Sequence, residues 1–245
     1  MDKTSVSEIE CKNKSSYIEM SRSIVKEERK DDPYMTLIIG CNTKDGFIIG
    51  ADTCLNYNDG RKDKIHKIIY NTQKKIVFAC AGHSSVIYNS QSIKINDVIN
   101  SALEHSQSYE ELKELLFYDM NIFMPRDIDS HTEMIIARIE NEEVFVEGYQ
   151  FRAQRHSEKI SINKYYDNRS CFQAKEPIIL GCVEISTVLN VYQEHKLSVK
   201  DKIFQTIKYF VDDKKTPSID GDVHLIILDK DGSLQTFVNG IEKDF

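Results

Sequence analysis

The chain has 245 residues, 40% of them hydrophobic, and a formal net charge of −7. This length and composition predict one domain with a sizeable core, and the negative charge argues against nucleic-acid or anionic-membrane partners. No run approaches the ~18 apolar residues that span a bilayer, and residues 1–8 lack the apolar core of a signal peptide. The six cysteines contain no C-x-x-C pair, so we predict reduced thiols in a soluble cytoplasmic protein.

Residues 1–34 are polar and charged, and two structures are compatible with them. Tyr17, Met20 and Ile24 recur at near-helical spacing, which predicts a short amphipathic helix. Pro33 would stop that helix. A tail without regular structure fits the composition equally well, so both alternatives stay open.

Two short apolar runs, Leu37–Cys41 and Phe47–Ala51, flank a polar turn. Neither run alternates strictly between apolar and polar residues, which predicts a β-hairpin whose strands are buried on both faces. The first strand begins at Thr36 and the second ends at Asp52. Because a hairpin brings the start of its first strand near the end of its second, we expect these two side chains to share a site.

The pattern of apolar residues predicts the following order along the chain: strands, two helices, strands, two helices and strands. This order is typical of an α+β fold. Capping boxes that start at Ser108 and Ser198 mark the beginnings of two of the helices. In chain order the predicted segments are a turn-rich loop over Leu55–Lys64, a hairpin of Lys67–Tyr70 and Lys75–Ala81, a helix with one apolar face of Ile95, Val98, Ile99, Ala102 and Leu103, a second helix that follows the capping box Ser108–Glu111, carries Leu112, Leu115, Leu116, Met120 and Phe123 and ends at Pro125, strands over Glu133–Ile139, Val144–Tyr149, Ile160–Tyr165 and Ile178–Leu180, helices over Ile185–Tyr192 and Val199–Val211, and a hairpin of Val223–Leu228 and Leu234–Val238.

Four short motifs occur together in the first third of the chain. They are Thr-x-x-x-Gly from Thr36, Asp-Gly followed after five residues by Asp52-Thr, Lys-Ile-Ile from Lys67, and Ala-Gly ending at Gly82. This combination resembles the 20S proteasome family of N-terminal-nucleophile hydrolases, and its catalytic β subunits in particular. The resemblance extends from Thr36 to Val238.

The resemblance implies a four-layer αββα sandwich, the fold of N-terminal-nucleophile hydrolases. It also implies a division of the chain into two parts. Residues 1–35 would be a propeptide or N-terminal extension, and residues 36–245 would be the hydrolase domain.

The resemblance further implies a catalytic role for four residues. Thr36 would be the nucleophile once it is the first residue, with its own α-amine, of reference pKa ~7.7–8.0, as the base. Lys67 would favour the neutral form of that amine, and Asp52 would pair with Lys67 and hold it. The N–H of Gly82 would supply the oxyanion hole, a type of donor that can carry ~2.7–4 kcal/mol of transition-state stabilisation.

The pocket for the substrate residue that precedes the cleaved bond is also implied by the resemblance. No charged residue occurs among its five expected lining positions, and burying an apolar side chain there would contribute ~1.5–3 kcal/mol. We therefore expect preference for medium apolar or aromatic residues. The five positions are Leu55, Ile65, Ile69, Cys80 and Ser84.

The sequence departs from the family's pattern in several places. Met35 precedes the nucleophile where glycine is usual, and Cys54 replaces a common arginine. Gly181–Val183 stands where Gly-Ser-Gly is expected. The accessory aspartate and serine of the family have no clear counterpart, although Ser218 and Asp220 lie near the expected region.

The sequence therefore predicts a threonine-type endopeptidase that cleaves polypeptide substrates as a subunit of a homo- or hetero-oligomeric ring. One alternative is a noncatalytic, α-like or scaffold subunit of the same fold, since Tyr17–Lys26 also resembles the N-terminal helix of proteasome α subunits. A further alternative is an N-terminal-nucleophile amidase that acts on a small amide. We expect no cofactor and no metal, because His66, His83 and His224 lack the spacing of metal ligands.

Overall fold

A computed structural model describes residues 36–56, 62–83, 85–88, 91–126, 129–167, 177–181, 184–194, 196–213, 216 and 218–243. The extension over residues 1–35, with its predicted helix, lies outside these residues. In chain order the elements are β1 Leu37–Asn42, β2 Gly46–Asp52, β3 Cys54–Asn56, β4 Lys62–Lys64, β5 Ile68–Asn71, β6 Ile76–Gly82, β7 Ser85–Tyr88, β8 Gln91–Lys94, α1 Ile95–His105, α2 Tyr109–Phe123, β9 Ser130–Glu140, β10 Glu143–Ala153, β11 Ser161–Asp167, β12 Ile178–Gly181, α3 Ile185–Glu194, α4 Val199–Asp212, β13 Val223–Asp229, β14 Leu234–Val238 and β15 Ile241–Glu242.

The predicted N-terminal hairpin is confirmed as β1 and β2. Every residue of β2 is buried, and so is β1 as far as Cys41. Thr43 closes the turn, since its N–H donates to the carbonyl of Gly46 at 2.8 Å and its hydroxyl accepts from the Gly46 N–H at 3.0 Å. Strands that are buried on both faces explain why neither apolar run alternates.

Two large antiparallel sheets contain most of the described strands. The six-stranded sheet has the order β12-β1-β2-β13-β14-β15, and the five-stranded sheet has the order β11-β10-β9-β6-β5. Two smaller ribbons, β3-β4 and β7-β8, complete the pairing among the described residues. The hairpin β1-β2 thus occupies interior positions of its sheet, with β12 on one side and β13 on the other.

Three hydrophobic clusters join the helices and sheets. The first combines α1 and α2 with β6, β9 and β10 of the five-stranded sheet. The second combines strands of both large sheets, and the third combines α3 and α4 with the six-stranded sheet. A large apolar side chain contributes roughly 1.5–3 kcal/mol when it is fully buried, so these clusters supply the main driving force for folding. The described part is thus mixed α and β with antiparallel sheets, in agreement with the α+β prediction.

The helix starts at Ser108 and Ser198 are confirmed. The hydroxyl of Ser108 accepts from the Glu111 N–H at 3.2 Å, and that of Ser198 accepts from the Asp201 N–H at the same distance. The Glu111 carboxylate accepts from the N–H of Gln107 at 2.7 Å, one residue earlier than a capping box places it. None of the described helices combines the length and the apolar character that a membrane crossing requires.

The predicted loop over Leu55–Lys64 is wrong in part, because it contains β3 and β4. These strands pair in antiparallel register, with Leu55 opposite Asp63. Strand β4 consists of three exposed charged residues, so apolar patterning could not reveal it. The prediction also lacks the β7-β8 ribbon, and β9 and β10 extend beyond the predicted strands.

Candidate active site

The centre of the candidate site is a buried ion pair between two predicted residues. Asp52 ends β2 and Lys67 directly precedes β5, and their Oδ2 and Nζ atoms are 2.8 Å apart. The side chains are 0% and 6% exposed, respectively. A buried pair of this kind is stable only when further hydrogen bonds compensate for lost hydration.

The carboxylate of Asp52 has such hydrogen bonds. Its Oδ1 accepts from the backbone N–H of Leu37 at 2.9 Å, and its Oδ2 accepts from that of Cys54 at 3.1 Å. Burial is the largest influence on the pKa of Asp52 and raises it, whereas the Lys67 ammonium and the two N–H groups act in the opposite direction. The side chain is therefore fixed from three directions.

Thr36 lies directly before the residue that donates to Asp52, and it is buried. Gly181 of β12 pairs with Leu37 on the other side of β1. Its φ is +116°, and a Cβ added there would lie only 1.7 Å from the carbonyl oxygen of Thr36. Glycine is required at this position, because only glycine allows the two backbones to approach so closely.

Gly82 ends β6 on the five-stranded sheet. Its φ is +99°, and an added Cβ would lie 2.5 Å from the carbonyl oxygen of His131. Two residues earlier, the N–H of Cys80 donates to the carbonyl of Lys67 at 3.2 Å, which ties this strand to the ion pair. The structure thus places the predicted site residues at adjacent strand ends, and their catalytic roles stay predictions.

The five predicted pocket positions fall in different surroundings. Ile69 and Cys80 pack against the same hydrophobic cluster, and burial raises the pKa of the Cys80 thiol to about 12, so that thiol stays protonated. Leu55 lies on β3, and the N–H of Ile65 donates to the carbonyl of Thr53 at 2.9 Å. Ser84 lies outside the described residues. Of the five positions, only Ile69 and Cys80 share a described contact region, so the pocket stays a prediction.

The possible accessory residues and the histidines have other surroundings. Asp220 forms an ion pair with Lys62 at 2.8 Å, and both side chains are about half exposed to solvent. The rings of His66 and His224 lie 5.0 Å apart, and a ring nitrogen of His83 is 3.1 Å from the carbonyl of His131. Within the described ranges, no group of three or more histidine, cysteine or acidic residues could hold a metal ion.

One residue near the site was missed by sequence reasoning. The Glu133 carboxylate on β9 accepts from the N–H of Gly181 and from the side-chain amide of Gln150. No sequence motif includes Glu133. It is the first residue of a predicted apolar strand, and this position is only a weak indication of a role in the site. Cys54, which replaces the family's arginine, is buried beside Asp52, while Cys182 and Val183 lie outside the described residues.

Many solved structures are similar to this chain, two Anbu structures among them, whereas neither a family model nor a curated protein matches it. One is Anbu (ancestral beta-subunit) from Yersinia bercovieri, with a TM-score of 0.54 and 14% identity. The other is an Anbu (Gly-1) mutant from Hyphomicrobium sp. strain MC1, with a TM-score of 0.51 and 11% identity. Each similarity covers 85% of this chain and 88% of the other.

These similarities correct the family expected from the sequence. The chain has the fold of Anbu proteins, a proteasome-like family distinct from the 20S proteasome, so the assignment to 20S α/β-type subunits is wrong. Its basis was four short motifs around one hairpin and one strand end. Short motifs of this kind reflect the residues of one local site. They cannot distinguish between families that have the same site. At this level of identity, the similarity establishes the fold.

Proposed function

We propose that this chain is an N-terminal-nucleophile hydrolase that cleaves peptide bonds through Thr36 as a subunit of a ring. The observation that carries the proposal is the buried Lys67–Asp52 pair, whose carboxylate holds the backbone N–H next to Thr36. The stability of an apolar core does not explain this pair, because a buried ion pair adds little net stability once the lost hydration of both charges is counted. In the proposed hydrolase the pair has a role, because a fixed positive charge near the α-amine of Thr36 favours the neutral form of that amine.

The three hydrophobic clusters support the fold that this chemistry requires. They connect α1 and α2 to the five-stranded sheet, the two sheets to each other, and the six-stranded sheet to α3 and α4. We take this succession as the four-layer αββα sandwich of N-terminal-nucleophile hydrolases. The similarity to a protein titled an ancestral β-subunit supports assembly with further copies or related subunits.

In the proposed reaction, Thr36 Oγ1 attacks the carbonyl carbon of the substrate peptide while its proton passes to the α-amine of Thr36. The N–H of Gly82 donates to the resulting oxyanion. The amine then passes the proton to the departing nitrogen of the substrate, which leaves an ester on Thr36. Water hydrolyses this ester and restores the hydroxyl, so the reaction needs no cofactor. Lys67 keeps the amine neutral, and Asp52 holds Lys67.

The proposal requires that residues 1–35 be absent from the active protein. While Met35 is attached, the nitrogen of Thr36 is an amide and cannot act as a base. Cleavage between Met35 and Thr36 would free it, and so would initiation at Met35 followed by removal of that methionine. Of the described cysteines, Cys41 and Cys80 are free thiols, which supports a cytoplasmic location for this step.

The test compares the purified full-length chain with its Thr36→Ala variant. Intact-mass analysis identifies the first residue, gel filtration measures assembly, and fluorogenic peptides measure hydrolysis. We expect the wild type to begin at Thr36 and to hydrolyse peptides, and Thr36→Ala to assemble without activity. Thr187→Ala is the matched control, because Thr187 is an exposed threonine on α3.

Three results would contradict the proposal. Peptide hydrolysis by pure Thr36→Ala protein would exclude Thr36 as the nucleophile. An assembled protein that retains residues 1–35 and is inactive would indicate a noncatalytic scaffold subunit. Hydrolysis of small amides by a monomer that leaves peptides intact would indicate an amidase. The same peptide panel tests the expected preference for apolar or aromatic residues, which faster cleavage after arginine or glutamate would refute.

A further inference from the structure

The proposed site is divided between the two large sheets. Thr36 directly precedes β1 and Asp52 ends β2 in the six-stranded sheet, whereas Lys67 directly precedes β5 and Gly82 ends β6 in the five-stranded sheet. The contacts between the sheets are mostly apolar. Apolar packing is not directional, and a misplacement of 1 Å can slow a reaction about 100-fold. The site therefore benefits from polar bonds that fix one sheet against the other.

The ion pair between Lys67 and Asp52 is one such bond, and Glu133 provides another. Glu133 lies on β9 of the five-stranded sheet, directly opposite Ala81, and its neighbour Thr132 is opposite Gly82. Its Oε2 accepts from the N–H of Gly181 at 3.4 Å, and Gly181 belongs to the six-stranded sheet. This hydrogen bond therefore crosses between the sheets next to Gly82.

The Glu133 carboxylate is held from its own sheet as well. Its Oε1 accepts from Nε2 of Gln150 on β10 at 3.2 Å, and Gln150 is buried. One carboxylate oxygen is thus bound within the five-stranded sheet and the other in the six-stranded sheet. A side chain bound at both oxygens has few other conformations, so it can fix a distance between its partners.

The partner in the six-stranded sheet is in direct contact with the nucleophile's backbone. Gly181 approaches the carbonyl of Thr36 so closely that an added Cβ would lie 1.7 Å from that oxygen. A shift of Gly181 therefore has to move Thr36. In the other direction, Glu133 is adjacent to the strand end that carries Gly82.

We propose that Glu133 is a positioning residue of the hydrolase site: by fixing Gly181, it sets the place of Thr36 relative to the N–H of Gly82. The inference rests on the proposed function, and it assigns Glu133 no contact with the substrate. Its role is to keep the nucleophile and the oxyanion donor at the separation that the transition state requires.

The experiment measures kcat and KM for one fluorogenic peptide in the full-length wild type and in Thr36→Ala, Glu133→Ala, Glu133→Gln and Glu143→Ala. Glu143 is the matched control, because it is an exposed glutamate on β10. We expect Glu133→Ala to lower kcat roughly 10- to 100-fold and to leave KM within about twofold. Glu133→Gln should stay within about threefold of the wild type, because its amide oxygen can still accept from Gly181 while its amide nitrogen donates to Gln150, whose own amide turns to present its oxygen.

Hydrogen exchange provides a readout that does not depend on turnover. We expect the peptide that contains Gly181 to exchange faster in Glu133→Ala and to remain unchanged in Glu133→Gln and Glu143→Ala. Thermal unfolding of the same samples separates a local effect from general destabilisation. Faster exchange at Gly181 with an unchanged melting temperature and a lower kcat would support the inference.

The possible failures can be told apart. If hydrolysis depends on Thr36 but Glu133→Ala has normal kcat, the positioning role is wrong and the proposed function stands. The role is also wrong if kcat falls only in proportion to the amount of folded protein, or if Glu133→Gln is as slow as Glu133→Ala. If the wild type is inactive, or Thr36→Ala is active, the proposed function fails and the positioning role fails with it.

Discussion

A single carboxylate organises the candidate site at the scale of residues. Asp52 accepts from Lys67, from the backbone next to Thr36 and from the backbone of Cys54, so three segments of the chain meet at its two oxygens. Burial makes each of these hydrogen bonds stronger than it would be in water, and it makes the loss of one more costly. The site therefore depends on the ion pair for its geometry as much as for its charge.

Removing one partner of this ion pair should destabilise the protein strongly. In Lys67→Met the carboxylate of Asp52 remains buried without its cation, which should lower the free energy of unfolding by about 3–5 kcal/mol. Peptide hydrolysis should also be lost. Urea titration measures the stability change. The control is Lys64→Met, because the pair of Lys64 with Asp222 is largely exposed and should contribute little to stability. If Lys67→Met were as stable as the wild type, the ion pair with Lys67 would not be what makes the burial of the Asp52 carboxylate possible.

The part of the site that lies on one hairpin could be predicted from the sequence, because its residues are close along the chain. Leu37, the neighbour of Thr36, and Asp52 lie 15 residues apart at the two ends of the hairpin β1-β2, so hairpin geometry brings them within reach. Glu133 and Gly181 lie 48 residues apart, and they meet only because β9 and β12 belong to sheets that pack together. No local pattern encodes such a contact. The same holds for the approach of Gly181 to Thr36.

At the scale of elements, the helices were the easiest to predict because their start signals are local. The cap of α4 can therefore be tested alone. Ser198→Ala removes the hydroxyl that accepts from the Asp201 N–H, and it should lower the free energy of unfolding by about 1 kcal/mol. Ser101→Ala, at an exposed position within α1, is the control and should be neutral or slightly stabilising. A cap variant as stable as this control would mean that the described hydrogen bond contributes nothing.

The β3-β4 ribbon shows why other elements escaped prediction. Lys62 and Lys64 of β4 form ion pairs with Asp220 and Asp222, each 158 residues further along the chain. The ribbon is therefore fastened by charges from the loop before β13, while its own sequence has the polarity of a turn. Predictions from apolar periodicity work for strands buried on both faces, such as β1 and β2, and fail for strands held by distant charges.

At the scale of the whole molecule, a buried glutamate makes stability depend on pH. Glu147 on β10 is 2% exposed and accepts hydrogen bonds from Lys164 on β11 and from Tyr109 at the start of α2. Burial acts to raise the pKa of Glu147, but these hydrogen bonds outweigh it and lower the pKa to about 2 from its usual 4.5. The carboxylate thus connects the five-stranded sheet to a helix more strongly while it is charged.

The direction of this pH dependence follows from the difference between the pKa of Glu147 in the folded and in the unfolded state. A carboxyl with a lowered pKa in the folded state stabilises that state above pH 4.5, and the stabilisation is lost as the pH falls towards 2. A shift of this size corresponds to about 3 kcal/mol. We expect Glu147→Gln to be less stable at pH 7 by up to that amount and to lose less stability between pH 4.5 and pH 2 than the wild type. Denaturant titration across this pH range is the measurement, and Glu143→Gln is the control. Parallel pH profiles for Glu147→Gln and the wild type would contradict the prediction.

The order of strands in the six-stranded sheet also determines when the surroundings of Thr36 are completed during synthesis. Strand β1 pairs with β12, and Asp52 lies opposite Val223 of β13, about 190 residues after Thr36. A ribosome that adds ~5–20 residues per second needs roughly 10–40 s for this interval. Until β12 is made, the hairpin next to Thr36 lacks both of its outer neighbours, and until β13 is made it lacks one of them. In the proposed hydrolase, the surroundings of the nucleophile are therefore completed only near the end of synthesis, although Thr36 itself is translated early.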